Sequence, residues 1–271
     1  MPKNLVSCLV GRLASIKFPR ALQLAILRWF VSRYGVQLAD ATKSLPEYPS
    51  LGALFTRELK SGARPIGAGV VSPVDGVITE YGRIEQGRLL QVKGVYLPLD
   101  LLLGDAQAQA RYEAGFFITF YLAPPDYHHI HAPIDGEVVS MTHMPGTLWP
   151  VNEWSVRTVP QLFVRNERVV TVLRGKEHGL VSVIKVGALN VGSIALAYDN
   201  LVSNQFSWGF CGAKRMPARR EYQPPRAIQK GNRLGTFQMG SSVILLFQSN
   251  CFTPGENCRR AKIRLGESLG S

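Results

Sequence analysis

From Val70 onward the chain is written in short apolar or alternating runs, each closed by glycine, proline or aspartate. Gly115-Phe-Phe-Ile-Thr-Phe-Tyr-Leu122, Arg168-Val-Val-Thr-Val-Leu173 and Leu180-Val-Ser-Val-Ile-Lys-Val186 are short and rich in β-branched and aromatic residues, so they read as strands. Upstream the texture differs. Residues 40–66 hold Pro46, Pro49 and Pro65 around Leu51–Leu59, a linker enclosing one short helix capped by Ser50. A further helix is expected within Leu99–Glu113. These patterns predict an α+β chain: N-terminal amphipathic helices, then a mainly antiparallel β sandwich or barrel-like body with hairpin repeats. The boundary falls between residues 1–66, helical, and 67–271, β-rich.

The repeats are two. Pro73-Val-Asp75-Gly76 and Pro133-Ile-Asp135-Gly136 share a Pro-apolar-Asp-Gly pattern, and Val191-Gly192-Ser193-Ile194 resembles Met239-Gly240-Ser241-Ser242. Asp-Gly is a strong hairpin signal, so both of the first pair are expected at hairpin turns. At 271 residues and 46% hydrophobic content, folding buries a core without disulfide staples. Cys8, Cys211, Cys251 and Cys258 fit neither a CxxC metal pair nor a dense disulfide framework, which favours a reducing compartment.

The formal charge of +12 divides unevenly. Lys3, Arg12, Lys17, Arg20, Arg28 and Arg33 precede the first acidic residue, Asp40, and residues 214–233 carry seven basic groups against Glu221 alone. The absence of zinc-finger spacing or an RNP-like run argues against nucleic acid as the partner. Within Phe18–Val36, Leu22, Ile26, Trp29 and Phe30 recur at helical spacing, widened by Leu24, Leu27 and Val31 and interrupted by arginines. The interruptions keep it short of the roughly 18 apolar residues a spanning helix needs, and no small-residue cleavage site marks a secretory signal. A basic amphipathic helix with Trp and Phe suits a membrane interface; the competing expectation is a helix packed on the protein's own core. Pro217, Pro224 and Pro225 favour an irregular, mobile loop over a regular element for the second basic block, residues 214–233.

Three of the five histidines stand in Tyr127-His128-His129-Ile130-His131. In an extended segment His129 and His131 share one face and His128 takes the other. Ligands for a metal are too scattered, so no metal is expected and acid–base work is the better reading. Asp75 or Asp135 is available as an orienting carboxylate, and Ser193 or Ser241, each after a glycine, as a nucleophile. Spacing alone does not choose among them. No Gly-x-Ser-x-Gly elbow is present.

Ser72-Pro-Val-Asp75-Gly, Gln91-Val-Lys-Gly94, Tyr121-Leu-Ala-Pro-Pro-Asp-Tyr-His128-His-Ile-His131 and Met239-Gly240-Ser241-Ser242-Val-Ile, in this order, resemble phosphatidylserine decarboxylases of the bacterial membrane-associated type. The likeness runs from about Leu51 to Phe247. Met-Gly-Ser-Ser stands where the family commonly has Leu-Gly-Ser-Thr, and His129 where Arg is more usual; both keep the reacting glycine and serine.

The resemblance implies a proenzyme that cuts itself between Gly240 and Ser241, giving a β chain of 1–240 and an α chain of 241–271, with 67–271 as the catalytic domain. It also implies the choice of Asp75 and Ser241. Ser241 attacks the Gly240 carbonyl, His131 takes the hydroxyl proton, and Asp75 holds the His131 ring. Ser241 ends as a covalent pyruvoyl group, the electron sink for decarboxylation, so no separate cofactor is needed. His128 assists decarboxylation or returns the proton. The implied partners are phosphatidylserine and an anionic membrane surface, at the cytoplasmic side of the cell membrane, with residues 1–66 as the membrane-association region and linker. A homodimer is left open. The rival expectations are a Ser/His/Asp hydrolase of lipid esters and a non-catalytic basic membrane-binding module.

Overall fold

The computed structural model describes residues 3–92, 94–189, 193–204, 216–238, 241–259 and 261–271. Two helices open the chain, α1 (Lys3–Ser15) and α2 (Arg20–Tyr34), followed by a short α3 (Leu51–Phe55). The body begins with β1 (Val70–Val71), β2 (Gly76–Arg83), β3 (Arg88–Val92) and β4 (Val95–Pro98), then α4 (Leu99–Leu103) and α5 (Ala108–Tyr112). Next come β5 (Phe116–Leu122), β6 (His129–His131), β7 (Gly136–Met144), α6 (Glu153–Thr158) and α7 (Leu162–Arg165). The chain ends with β8 (Arg168–Gly175), β9 (Gly179–Gly187), β10 (Ile194–Leu196), β11 (Ala218–Ile228), β12 (Arg233–Phe237), β13 (Ser241–Phe247), β14 (Lys262–Ile263) and β15 (Ser268–Gly270).

Eight strands form one sheet in the order β11-β7-β8-β9-β13-β5-β2-β14, and every pairing in it is antiparallel. A second sheet has the order β10-β12-β6. Ile130, Ile194, Leu234 and Phe237 from the small sheet join Val169, Val183, Val243 and Leu245 of the large one in a single core. The unbroken apolar run Val243–Phe247 is buried throughout, as a strand covered on both faces requires. Lys185 is the exception inside this core. It stands opposite Val243, is fully buried, and its Nζ donates to the Thr171 hydroxyl, which pairs with Tyr198 Oη at 2.5 Å.

The strands expected at 115–122, 168–173 and 180–186 are β5, β8 and β9. Ser50 caps α3, its Oγ accepting from Ala53 N at 3.2 Å. The helix expected within 99–113 is two helices, because Gly104 adopts a left-handed conformation (φ 64°) that ends α4.

The Asp-Gly repeats are not hairpin turns. β1 pairs with β15, and β2 with β5 and β14, so Pro73–Asp75 joins one sheet to another, as Pro133–Asp135 does between β6 and β7. The two segments bond each other reciprocally, His131 N to Pro73 O at 2.9 Å and Val71 N to Pro133 O at 3.0 Å. The glycines answer a close approach rather than a turn. A Cβ on Gly76 would lie 2.5 Å from Tyr121 O, and one on Gly136 2.2 Å from Arg174 O.

Two expectations about the basic segments are revised. Gln23, Leu27 and Phe30 are the buried residues of α2, where Leu27 and Phe30 pack with Val36, Tyr48, Leu54 and Phe55 in a second, smaller core. Of the expected stripe, Leu22 and Trp29 are instead exposed (51% and 60%), because that cluster takes up only one side of the helix. Among the described residues no helix is long and apolar enough to cross a membrane. From Ala218 to Ile228 the second block is the edge strand β11, paired with β7, and Pro224 and Pro225 fall in the interruption of register between Glu221 and Arg226. An edge strand tolerates proline there because no ladder donor is needed. Its charges are largely engaged: Arg220 with Asp199, Arg219 with Glu221, Arg233 with Glu58, and Lys230 Nζ on Gly69 O. Lys214 and Arg215 lie outside the described residues.

Candidate active site

The large and small sheets are joined where the histidine segment runs. Leu122, the last residue of β5, and Gly187, the last of β9, both pair with Ser241, the first of β13. In the small sheet His129 pairs with Thr236 and Ile194 with Phe237. Between these rungs Phe237 N donates to His128 O and Gln238 N to Ser193 O, both at 2.9 Å. The segment that leads into Ser241 therefore enters alongside His128. Asp126 shapes the turn by accepting from Ala123 N at 2.8 Å. Gly240 and Met239 lie outside the described residues, as does the Ser241 side chain.

The three histidines are not equivalent. His129 uses both nitrogens: Nδ1 accepts from the Thr236 hydroxyl at 2.7 Å, and Nε2 donates to Thr56 O at 3.2 Å. His128 donates Nδ1–H to Asp126 O at 2.9 Å, and His131 donates Nδ1–H to Gly231 O at 2.7 Å. In both rings Nε2 is buried and, among the described residues, without a partner, which leaves two basic lone pairs in the interior. Burial lowers His128 to about 3, with the Arg57 charge adding to the effect. Burial also lowers His131, helped by Arg233 and opposed by the Gly231 bond and the Asp75 charge. Both rings are thus held neutral, the form a general base needs. Tyr127 packs on His129 and His131, at centroid distances of 4.9 and 5.7 Å, while Phe55 packs on His128 at 3.9 Å, so the expected alternation of faces holds.

Asp75 is buried just before β2, but it does not hold the His131 ring. Its oxygens accept from Arg64 Nε at 2.9 Å, Arg64 Nη2 at 2.6 Å and Leu265 N at 2.8 Å. Asp40, 2.8 Å from Arg64 Nη1, completes the ion chain. The Gly231 carbonyl orients the ring instead. Gly231 sits in a turn at φ 82°, where a side chain would be strained and would also meet Ile66. What Asp75 supplies to His131 is charge. Asp135, its counterpart in the repeat, accepts from Lys230 N at 2.8 Å.

The phosphatidylserine decarboxylase family model matches residues 51–271. Among similar proteins, the phosphatidylserine decarboxylase proenzyme of Anaeromyxobacter sp. (strain K) is 43% identical over 279 residues, covering 100% of this chain and 95% of that one. The proenzymes of Myxococcus xanthus and Azoarcus sp. are each 39% identical, over 100% of this chain and 95% and 92% of theirs. The chain belongs to the phosphatidylserine decarboxylase family. It is accordingly a decarboxylase, and the rival expectations of an ester hydrolase and a non-catalytic module are set aside.

In this decarboxylase the sequence reading passed over four residues at the site. Among the described residues eight buried side-chain atoms lack a hydrogen-bond partner, and five of them belong to Tyr48, Arg57, His128, His131 and Arg233. These five are electrostatic neighbours, Arg57 of Tyr48 and His128, and Arg233 of His131. Buried polar atoms are rarely left unpaired without a functional reason, so the clustering marks the site independently of any motif. Glu58, the fourth, binds Arg233 and lies 3.8 Å from His129 Nε2. Arg57 and Glu58 had looked like part of a spacer; the signal available in the sequence was a charged pair closing an apolar helix within that proline-bounded stretch.

Proposed function

We propose that this phosphatidylserine decarboxylase matures by cutting its own chain between Gly240 and Ser241, with His131 as the base. The Ser241 hydroxyl attacks the Gly240 carbonyl, the amide becomes an ester, and β-elimination leaves dehydroalanine at 241, which hydrolyses with loss of ammonia to a pyruvoyl group. His131 Nε2 accepts the hydroxyl proton, and the Asp75 carboxylate favours the imidazolium that results. The observation that carries this reading is the pair of Nε2 atoms on His128 and His131, unshared among the described residues, in the segment bonded along β12, the strand that precedes Ser241.

The pyruvoyl carbonyl supplies the electron-withdrawing group that captures the amine of phosphatidylserine and accepts the electron pair freed as carbon dioxide leaves. His128, walled by Phe55, takes up at Nε2 the proton that the substrate ammonium releases as it condenses, and returns it to the α-carbon of the headgroup, which completes phosphatidylethanolamine. Burial excludes bulk water from that atom.

Residues 1–66 bring this site to an anionic bilayer at the cytoplasmic side. Leu9, Leu13, Ile16, Phe18, Leu22 and Trp29 are exposed on α1, α2 and their connection, beside the exposed Lys17, Arg20, Arg28 and Arg33. That combination suits the headgroup boundary, each cation adding about 1 kcal/mol near anionic lipid.

Intact-mass analysis of purified protein tests the processing. A C-terminal fragment beginning at 241 with a pyruvoyl group is expected. Asp75→Asn, His131→Ala and Ser241→Ala should each stay uncut, whereas His128→Ala should be cut yet fail in turnover. Cutting that survives loss of His131 overturns the role assigned to it.

A further inference from the structure

Arg57 lies just past α3, buried against the turn that carries the histidines. Its Nη2 donates to Pro125 O at 2.6 Å, while Nε reaches no acceptor. Among the described residues no carboxylate comes within ion-pair distance of it, whereas Arg64 is held by Asp40 and Asp75 at 2.8 and 2.6 Å. A buried guanidinium with an open donor edge is costly, and its cost is recovered when an anion arrives. Arg57 is also the charge that His128 feels most. Phe55, packed on His128, and Thr56 line a cleft of about 160 Å³ between α1 and α3 that is closed on another side by Gln238. Phe55 thus stands between this cleft and His128.

We infer that Arg57 is the anion anchor of the site and holds the phosphodiester of the lipid headgroup. The inference rests on the decarboxylase activity above. The headgroup offers two anions, and the chemistry favours one. Pairing the guanidinium with the carboxylate would stabilise the group that must leave as neutral carbon dioxide, and so would raise the barrier. The phosphodiester keeps its charge throughout, so binding it fixes position without resisting the reaction. The placement agrees with the proposed membrane face, because Arg57 directly follows α3 in the helical region and is bonded to the turn that carries His128.

The test uses the processed enzyme with short-chain phosphatidylserine, and short-chain phosphatidylmethanol as inhibitor. The latter is a phosphodiester with neither amine nor carboxylate. For Arg57→Gln, KM and the inhibition constant should rise by the same factor, roughly tenfold to a hundredfold, with kcat within about threefold, the range a hydrogen bond to a charged group spans. Arg57→Lys, which keeps the charge, should give a smaller rise in both and is read alone if Arg57→Gln stays uncut. A raised KM with an unchanged inhibition constant assigns Arg57 to the carboxylate and overturns the inference. A fall in kcat with both constants unchanged reduces it to a support for the Pro125 turn and also overturns it. Absence of carbon dioxide release by the wild type would instead count against the decarboxylase reading itself.

Discussion

Lys185 offers a measurement of what the core of this fold tolerates. It is fully buried between β8 and β13, with a hydroxyl and a distant carbonyl as its hydrogen-bond acceptors. Burial therefore pushes its ammonium from the ordinary 10.5 down to about 7. In the unfolded chain the amine keeps its proton up to about 10.5, so between these values unfolding takes up a proton. Stability must rise with pH across that window by up to about 1.4 kcal/mol per pH unit, and the penalty, on the order of 5 kcal/mol, is fully present below pH 7 and gone above 10.5. Lys185→Met removes the charge at similar volume. It forfeits one hydrogen bond to Thr171, worth about 1 kcal/mol, while Thr171 keeps Tyr198. The variant should be more stable than the parent by about 2–4 kcal/mol near pH 7, and the gap should close as pH approaches 10. Urea unfolding of the uncut Ser241→Ala form, with and without Lys185→Met, measures this at several pH values. Parallel stability curves for the two chains would refute the reasoning, since a buried uncompensated ammonium cannot have the pH dependence of a thioether.

Three further outcomes follow from the same structure. Because burial and Arg233 hold His131 below its ordinary 6.5, self-cleavage should keep a constant rate from about pH 8 down to that value and slow only in more acid solution; a stopped-time gel assay that shows half-loss above pH 6.5 contradicts the assignment. Gly76→Ala and Gly136→Ala force a Cβ to 2.5 and 2.2 Å from a neighbouring carbonyl oxygen, so each should cost about 1–3 kcal/mol in thermal unfolding; a neutral substitution at either would mean that the repeat is not fixed by close strand contact. Deleting residues 1–33 should weaken sedimentation with anionic vesicles in a salt-dependent way and leave processing intact; undiminished binding would move the membrane face elsewhere.

The strands and the histidine cluster were legible because their signals are local. Alternation and β-branching fix β5, β8 and β9 residue by residue, and a Tyr-His-His-Ile-His run needs no partner to be noticed. The prolines of β11 misled because propensity says nothing about whether a strand lies at an edge, where a missing donor costs little. The Asp-Gly pairs misled for a related reason. Glycine is chosen by turn geometry and by close approach alike, and only the approach of Tyr121 O and Arg174 O reveals which applies. Likewise Asp75 and His131 are close enough to interact, but sequence does not show that Arg64 has already taken the carboxylate or that a backbone carbonyl has taken the ring.

The least legible part is also the most consequential. A reading by texture divides the chain near residue 66, and chemistry crosses that line repeatedly. Phe55 walls His128, Thr56 O accepts from His129, Arg57 holds Pro125 O, Glu58 neutralises Arg233, and Arg64 engages Asp75. Each contact links residues between 11 and 175 positions apart, so no local pattern announces it. One physical consequence follows. The helical region proposed to meet the bilayer and the residues that hold the histidines are a single continuous stretch, so pressure on α1 or α2 at a membrane surface would act on α3, and through Phe55 and Arg57 on His128. A variant that loosens α3 without touching the histidines, such as Leu54→Ala in the small core, should therefore slow decarboxylation as well as weaken the helices.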